Sequence, residues 1–142
     1  MTRFILICFG GAVGTGARYL LGGFVARVAG PDFPYSTLLI NVLGSFVIGY
    51  FGTLTLQSGK YPASDNLRLF VMVGICGGFT TFSSFSLQTF DLMRSGGWGR
   101  ALANVVLSVV LCVAAVAAGH RLAQQTVNQA AIAETAEEEY TG

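Results

Sequence analysis

The chain is predicted to be an all-α membrane protein in which four transmembrane helices follow one another and the third is broken. Three observations carry that prediction. Hydrophobic residues make up 53% of the 142 positions and charged residues only 11%, with a mean hydropathy of +0.63. A soluble domain carries about 25% charged residues, so this chain lacks the polar side chains to cover a surface facing water. Its apolar residues fall into four runs, each near the ~20 residues that cross a bilayer. The third run is interrupted by "CGGFTTFSSFSLQTF" at residues 76 to 90.

The first span, Phe4–Val25, is too long for a cleavable signal peptide, carries Arg18 inside it and has no clear small-residue cleavage site before the next span. Gly10 with Gly14, and Gly11 with Thr15, stand four residues apart, as in helices whose backbones approach closely in lipid. The loop "AGPDFPYS" then breaks the chain. The second span, Ser36–Leu56, places Thr37 one turn before Asn41 and repeats the small-residue spacing at Ser45 and Gly49. An amide in an apolar span is expensive unless hydrogen-bonded; Asn41 either fastens two helices or offers its N–H donors to an anion. After "QSGKYPASDN" comes the third span, Leu67–Phe90, and after "RSGGWGR" the fourth, Ala101–Gly119, with Asn104, Ser108 and Cys112 on one stripe. Residues 1–122 form the membrane domain. The polar, acidic tail 123–142 is expected to be a solvated, frayed helix or disordered.

Residues 76–90 hold Thr80, Thr81, Ser83, Ser84, Ser86, Gln88 and Thr89 among Phe79, Phe82, Phe85 and Phe90. Gly74, Gly77 and Gly78 followed by two threonines are poor helix formers, so the spacing predicts a helix break near Gly77–Thr81. A break inside hydrocarbon survives only when buried in protein or lining a wet cavity. It frees carbonyl oxygens suited to a hard cation, or it is a kink whose hydroxyls bond the preceding turn. Phe82 and Phe85 share a helical face, and their ring edges are weakly positive. They either greet an anion, or face lipid or fill the core.

Basic residues are nearly balanced between the two sides. Arg3, Lys60, Arg68 and Arg121 lie on the side of both termini; Arg27, Arg94 and Arg100 lie on the other. Orientation follows such asymmetry, so the chain is expected to insert both ways up and to pair as an antiparallel homodimer. A net charge of +1 carries no nucleic-acid footprint. Cys8, Cys76 and Cys112 show neither metal nor disulfide spacing and are read as packing residues. The lone His120 lacks a nucleophile or base at catalytic spacing, so no enzyme is expected. A proton-coupled exporter would need a titratable group in the membrane. Asp and Glu are absent from the four spans, Asp91 lying just after the third with Arg94 as its expected partner. A purely structural membrane subunit is the other alternative.

"GGAVGTGARY", "STLLINVLGSFVIG" and above all "GICGGFTTFSSFS" resemble the Fluc/CrcB family of small fluoride channels, over roughly residues 4–119. The resemblance implies a passive fluoride-selective channel conferring fluoride resistance, in the bacterial inner membrane, formed by an antiparallel dual-topology homodimer with two pores. It implies a structural Na⁺ at the dimer centre, held by the backbone carbonyls of Gly77 and Thr80. It implies Phe82 and Phe85 as pore rings, Asn41 as the pore amide, Ser84 and Ser108, with Thr37, as a polar track, and Arg18 at the vestibule. Three positions depart from the pattern: Gln88 stands where many relatives carry Glu, Asn104 where Tyr is frequent, and Cys112 where a smaller or hydroxylated residue is usual.

Overall fold

The computed structural model describes residues 1–56 and 61–141, with side chains through residue 130; Lys60, one of the basic residues weighed for orientation, lies outside them. Helix α1 (Thr2–Ala29) ends at Gly30, whose φ of 77° is a left-handed stop, and prolines at 31 and 34 keep the loop from resuming the helix. Helix α2 (Tyr35–Leu54) follows. The third span begins with the short α3 (Asp65–Arg68), which Ser64 caps by accepting from the Leu67 N–H. It continues as a π-helical stretch, Leu69–Cys76, and one turn, α4 (Gly77–Phe79). Thr80 and Thr81 are extended, with φ/ψ of −80°/161° and −154°/112°, and α5 (Phe82–Arg94) resumes. Helix α6 (Trp98–Thr141) is one helix of 44 residues, about 66 Å long at the usual rise, so its backbone runs unbroken across the expected domain boundary at 122. Among the described residues, four helical stretches are long and apolar enough to cross a membrane.

The expected spans are all present, and the break falls at the end of the expected window, with Gly77–Phe79 still helical. Helix α2 starts one residue before its expected run and stops two residues short of it, while the other three helical stretches run past their apolar runs at both ends, because polar residues at the interface continue the backbone hydrogen bonding that lipid demands. Arg94 does not close on Asp91 as expected. Its guanidinium carbon lies 6.0 Å from the centre of the Phe90 ring, a cation–π arrangement.

Burial is inverted relative to a soluble fold. The buried apolar residues are few, Ile40, Cys76, Ala101 and Ala123, while Thr37, Thr55, Thr81, Thr89, Asn104 and Ser108 are buried and Phe4, Phe9, Phe24, Leu39, Val109 and Val113 point outward. Patches of this size on a water-facing monomer would drive association; against acyl chains they cost nothing.

Glycines set the helix spacing. The most extensive pairing is α2 with α6, followed by α1 with the π-helical stretch. A Cβ on Gly10 would stand 2.6 Å from the Phe70 carbonyl oxygen, and one on Gly78 2.5 Å from that of Gly11. On the other seam, a Cβ on Gly119 would meet the Tyr50 nitrogen at 2.8 Å. Backbone cannot yield as a side chain can, so close approach is what these residues supply. Gly78→Val is therefore expected to abolish the monodisperse elution peak in mild detergent, overpacking a site where even modest insertions cost about 1–3 kcal/mol. Gly11→Ala, whose Cβ would meet nothing within 4 Å, should elute like the parent; equal behaviour of the two variants would contradict this packing.

Arg68 secures the C-terminal end of α2, donating to the Gly52 carbonyl at 3.0 Å and to Thr55 Oγ1 at 2.6 Å, where a cation also complements the helix dipole. His120 Nδ1 and Thr53 Oγ1 are 2.7 Å apart at the same end. The Thr53 hydroxyl also donates to the Gly49 carbonyl at 2.8 Å, which leaves His120 Nδ1–H as the donor to it. The histidine is thus an exposed fastening between α2 and α6.

Candidate functional site

The interruption of the third span is built by side-chain capping. Thr80 turns back on the preceding helix, its N–H and hydroxyl both donating to the Cys76 carbonyl at 3.0 and 2.9 Å. Thr81 caps α5: its Oγ1 accepts from the Ser84 N–H at 3.2 Å and donates to Ser84 Oγ at 3.0 Å. Asn41 closes the gap from α2. It accepts the Thr81 N–H on Oδ1 at 2.8 Å and donates from Nδ2 to the Thr81 carbonyl at 3.2 Å. The amide oxygen thus replaces the acceptor that the Thr81 N–H loses at the break, its Nδ2 adds a bond to a carbonyl that, as the N-cap's, opens the α5 ladder, and its second N–H remains as a donor. Gly44, one turn beyond Asn41, leaves the room that the Thr80 methyl occupies.

Two carbonyls lose their helical donors at this point. In an α-helix the Thr81 N–H would bond the Gly77 oxygen and the Ser84 N–H the Thr80 oxygen. The first instead goes to Asn41 and the second to the Thr81 hydroxyl. Gly77 is exposed, and a Cβ there would meet nothing within 4 Å. Hard main-chain oxygens without a donor suit an alkali cation, so the residues present fit the expected Na⁺. Among the described residues no three His, Cys, Asp or Glu side chains gather to hold a metal.

Arg18, Thr37, Ser84, Asn41 and Phe82 of the expected pore residues line two clefts near the Thr81 cap, and Phe85 lines neither. The larger, of about 700 Å³, is lined by Arg18 and Arg27 from α1, Thr37 from α2, and Thr81, Ser84 and Gln88. Among the described residues, Arg18 Nε and Gln88 Oε1 are buried there without a hydrogen-bond partner. The smaller, of about 270 Å³, is lined by Asn41, Ser45, Met72, Gly77, Thr80 and Phe82. Phe82 is 78% exposed and Phe85 half-buried, their ring centres 5.3 Å apart and planes tilted by 45°. Ser108 lines neither cleft; it is buried on α6, its hydroxyl without a partner among the described residues.

Asn104, read from the sequence as part of a stripe, does something more definite. It is 1% exposed and donates from Nδ2 to Thr89 Oγ1 at 2.8 Å, while Thr89 donates to the Phe85 carbonyl at 2.8 Å. This relay fixes α5 on α6 and thereby holds the Phe85 backbone. Thr81 and Thr89 carry the local architecture and were visible in the sequence only as members of a hydroxyl-rich run. Their partners, 40 and 15 residues away, leave no local signal.

The family model described as CrcB-like protein, Camphor Resistance (CrcB), matches residues 5–120. The fluoride-specific ion channel FluC of Methylobacterium radiotolerans is 60% identical over 122 residues, covering 86% of this chain and 85% of that protein. The FluC of Gluconobacter oxydans is 56% identical over 140 residues, covering 97% and 96%, and that of Opitutus terrae 53% identical over 120 residues, covering 84% and 91%. With four apolar helices, a capped break in the third and a matched region that runs from the first helix into the last, the chain is a multi-pass membrane protein and belongs to the CrcB-like family.

Proposed function

We propose that the protein is a fluoride-selective channel through which cytoplasmic fluoride leaves passively, and that two inverted copies form the working unit in the bacterial inner membrane. The observation that carries this is the Asn41–Thr81 cap. It holds open an otherwise forbidden break in mid-span and stands between clefts lined by hydroxyls, the amide and the Phe82 ring, with Arg18 and Arg27 in the larger and no carboxylate in either. The names of the relatives, fluoride-specific ion channels at 53 to 60% identity, point the same way.

The chemistry is that of dehydration. HF crosses bilayers uncharged and ionises in a near-neutral cytoplasm, which traps fluoride. An inside-negative potential drives the anion out once a path exists. Arg18 draws the anion into the larger cleft, and the hydroxyls of Thr37 and Ser84 replace part of its water, with Ser108 supplying a further hydroxyl in the assembled pore. The free Asn41 N–H and the edges of Phe82 and Phe85 supply weak positive potential where water is excluded. No full charge binds there, so the ion is also released. The Gly77 and Thr80 oxygens would hold a structural Na⁺, whose charge would compensate main-chain carbonyls that the break leaves without donors. The near-even spread of basic residues supports dual topology, and the strongly apolar exterior of the broken span, including exposed Phe82, suits a second copy.

A proton-coupled exporter is disfavoured because the larger cleft contains no acid to carry the proton. Purified protein in liposomes, followed with fluoride and chloride electrodes, is expected to release fluoride and retain chloride, with a rate indifferent to a pH gradient. Vesicles as tight to fluoride as empty ones would refute the channel, and a rate that follows the pH gradient would point to the exporter.

A further inference from the structure

Helix α5 carries the ring pair, yet little of the chain packs on it. Its seam with α6 is far thinner than that between α2 and α6, and its contact with α2 is thinner still. Two asparagines hold it instead. Asn41 grips Thr81 at its N-cap, and Asn104 grips Thr89 about two turns further along, roughly 12 Å down the axis. Phe82 and Phe85 lie between these two points. Among the described residues, the bond from Asn104 to Thr89 is the one side-chain hydrogen bond between α5 and α6. The threonine hydroxyl gives it a direction. Thr89 has a single O–H proton and donates it to the Phe85 carbonyl at 2.8 Å. Its lone pairs are left to accept from Asn104 Nδ2, also at 2.8 Å. The chain of bonds therefore runs from α6 through Thr89 to the main chain of Phe85. A hydroxyl bonded to the carbonyl one turn back bends a helix slightly, so a pull on Thr89 is felt at Phe85. Asn104 is almost wholly buried and lines neither cleft. An amide there costs free energy unless it is bonded, and a leucine of similar size would fill the space without that cost.

We propose that Asn104 is a positioning residue for Phe85: through Thr89 it fixes the rotation of α5, and so the angle at which the Phe85 ring edge meets the anion in the assembled pore; this rests on the channel reading. The edge and the face of an aromatic ring differ in sign. Even a modest rotation of α5 would turn part of the negative face toward the path, so the ring favours an anion only while its angle is kept. Side-chain packing does little to keep it, since Phe85 is half-buried and its neighbour Phe82 is exposed. The hydrogen bonds at the two ends of the segment do so instead. They are buried at Thr81, Thr89 and Asn104, where a low local dielectric strengthens each of them.

The experiment is initial fluoride efflux from liposomes carrying the full-length parent or its variants. Asn104→Leu removes the relay and strands no buried group on α5, because Thr89 keeps its bond to the Phe85 carbonyl; it should elute as the parent does. Its efflux should be roughly three- to tenfold lower, the range of a single hydrogen bond expressed as a rate. Asn104→Ser, too short to reach Thr89, should show the same loss and replaces Asn104→Leu if the latter elutes as aggregate. Thr89→Ser keeps the hydroxyl and should conduct like the parent. In the Phe85→Ile background Asn104→Leu should bring no further loss, because the ring through which it acts is gone. Fluorine NMR gives a second reading, with para-fluorophenylalanine in place of Phe85 or, as a control, of Phe24 on α1. Asn104→Leu should broaden or split the signal at Phe85 and leave that at Phe24 unchanged. Parent-like efflux of Asn104→Leu, an equal fold loss in both backgrounds, an unmoved signal at Phe85, or signals moved at both positions would overturn the positioning role while leaving the channel standing. Where Phe85→Ile leaves no flux to measure, the signal at Phe85 decides. A parent that conducts no fluoride would overturn the channel, and the positioning role with it.

Discussion

Asn41→Asp should reduce fluoride efflux from liposomes to the level of protein-free vesicles. Two effects act in the same direction. The amide meets Thr81 with one acceptor and one donor, Oδ1 to the N–H at 2.8 Å and Nδ2 to the carbonyl at 3.2 Å. A carboxylate keeps the first contact and sets a second oxygen against the Thr81 carbonyl, so one of the two bonds is lost and two acceptors are opposed, a change of about 1–3 kcal/mol. It also puts a negative charge in the cleft that holds Phe82 and Thr80, where a low dielectric magnifies repulsion of any anion. Asn41→Leu separates the contributions. It breaks the cap without adding charge, so it should shift the elution profile toward aggregate, whereas Asn41→Asp should block flux even in the fraction that elutes as the parent does. Parent-like flux through Asn41→Asp would remove the amide from the pathway.

The second large effect is expected at the ring pair. Phe85→Ile keeps the bulk of the side chain but removes the weakly positive edge, and fluoride flux should fall on the order of tenfold or more, about 1.4 kcal/mol in barrier for each decade. The elution profile should be unchanged, because the Phe85 position is held through main chain: its carbonyl accepts from Thr89, which Asn104 in turn holds. Phe82→Ile should act similarly on flux, although its ring is far more exposed in the single chain. Unaltered flux in both variants would make the rings packing residues.

Much of this molecule could be read from composition and spacing. Four apolar runs gave four long helices because hydrocarbon forces backbone to satisfy itself within a segment, and a Gly-Gly-Phe-Thr-Thr sequence inside such a run has few outlets other than a break. The small-residue spacings at Gly10 and Gly14, and at Gly49, became seams against Gly74, Ile75 and Val116. The helix ends were not legible, since hydropathy falls at the interface while the helix goes on, most of all in α6. The π-helical stretch Leu69–Cys76 was not legible either, because an apolar run carries no periodic mark of how tightly it winds. The candidate site was legible as residue types and not as partnerships. Asn41 was open between fastening helices and facing an anion; the geometry gives it a fastening role with one donor to spare. The pairing of Asn104 with Thr89 depends on how α5 lies on α6, which no local pattern encodes.

The inverted burial also bears on how the polypeptide is made. A chain whose largest side chains sit outermost, and whose centre is glycine, threonine and asparagine, has no stage at which it can wait in the cytosol without clumping. Synthesis must therefore be coupled to delivery into the lipid phase, with each hydrophobic segment handed over as it leaves the ribosome.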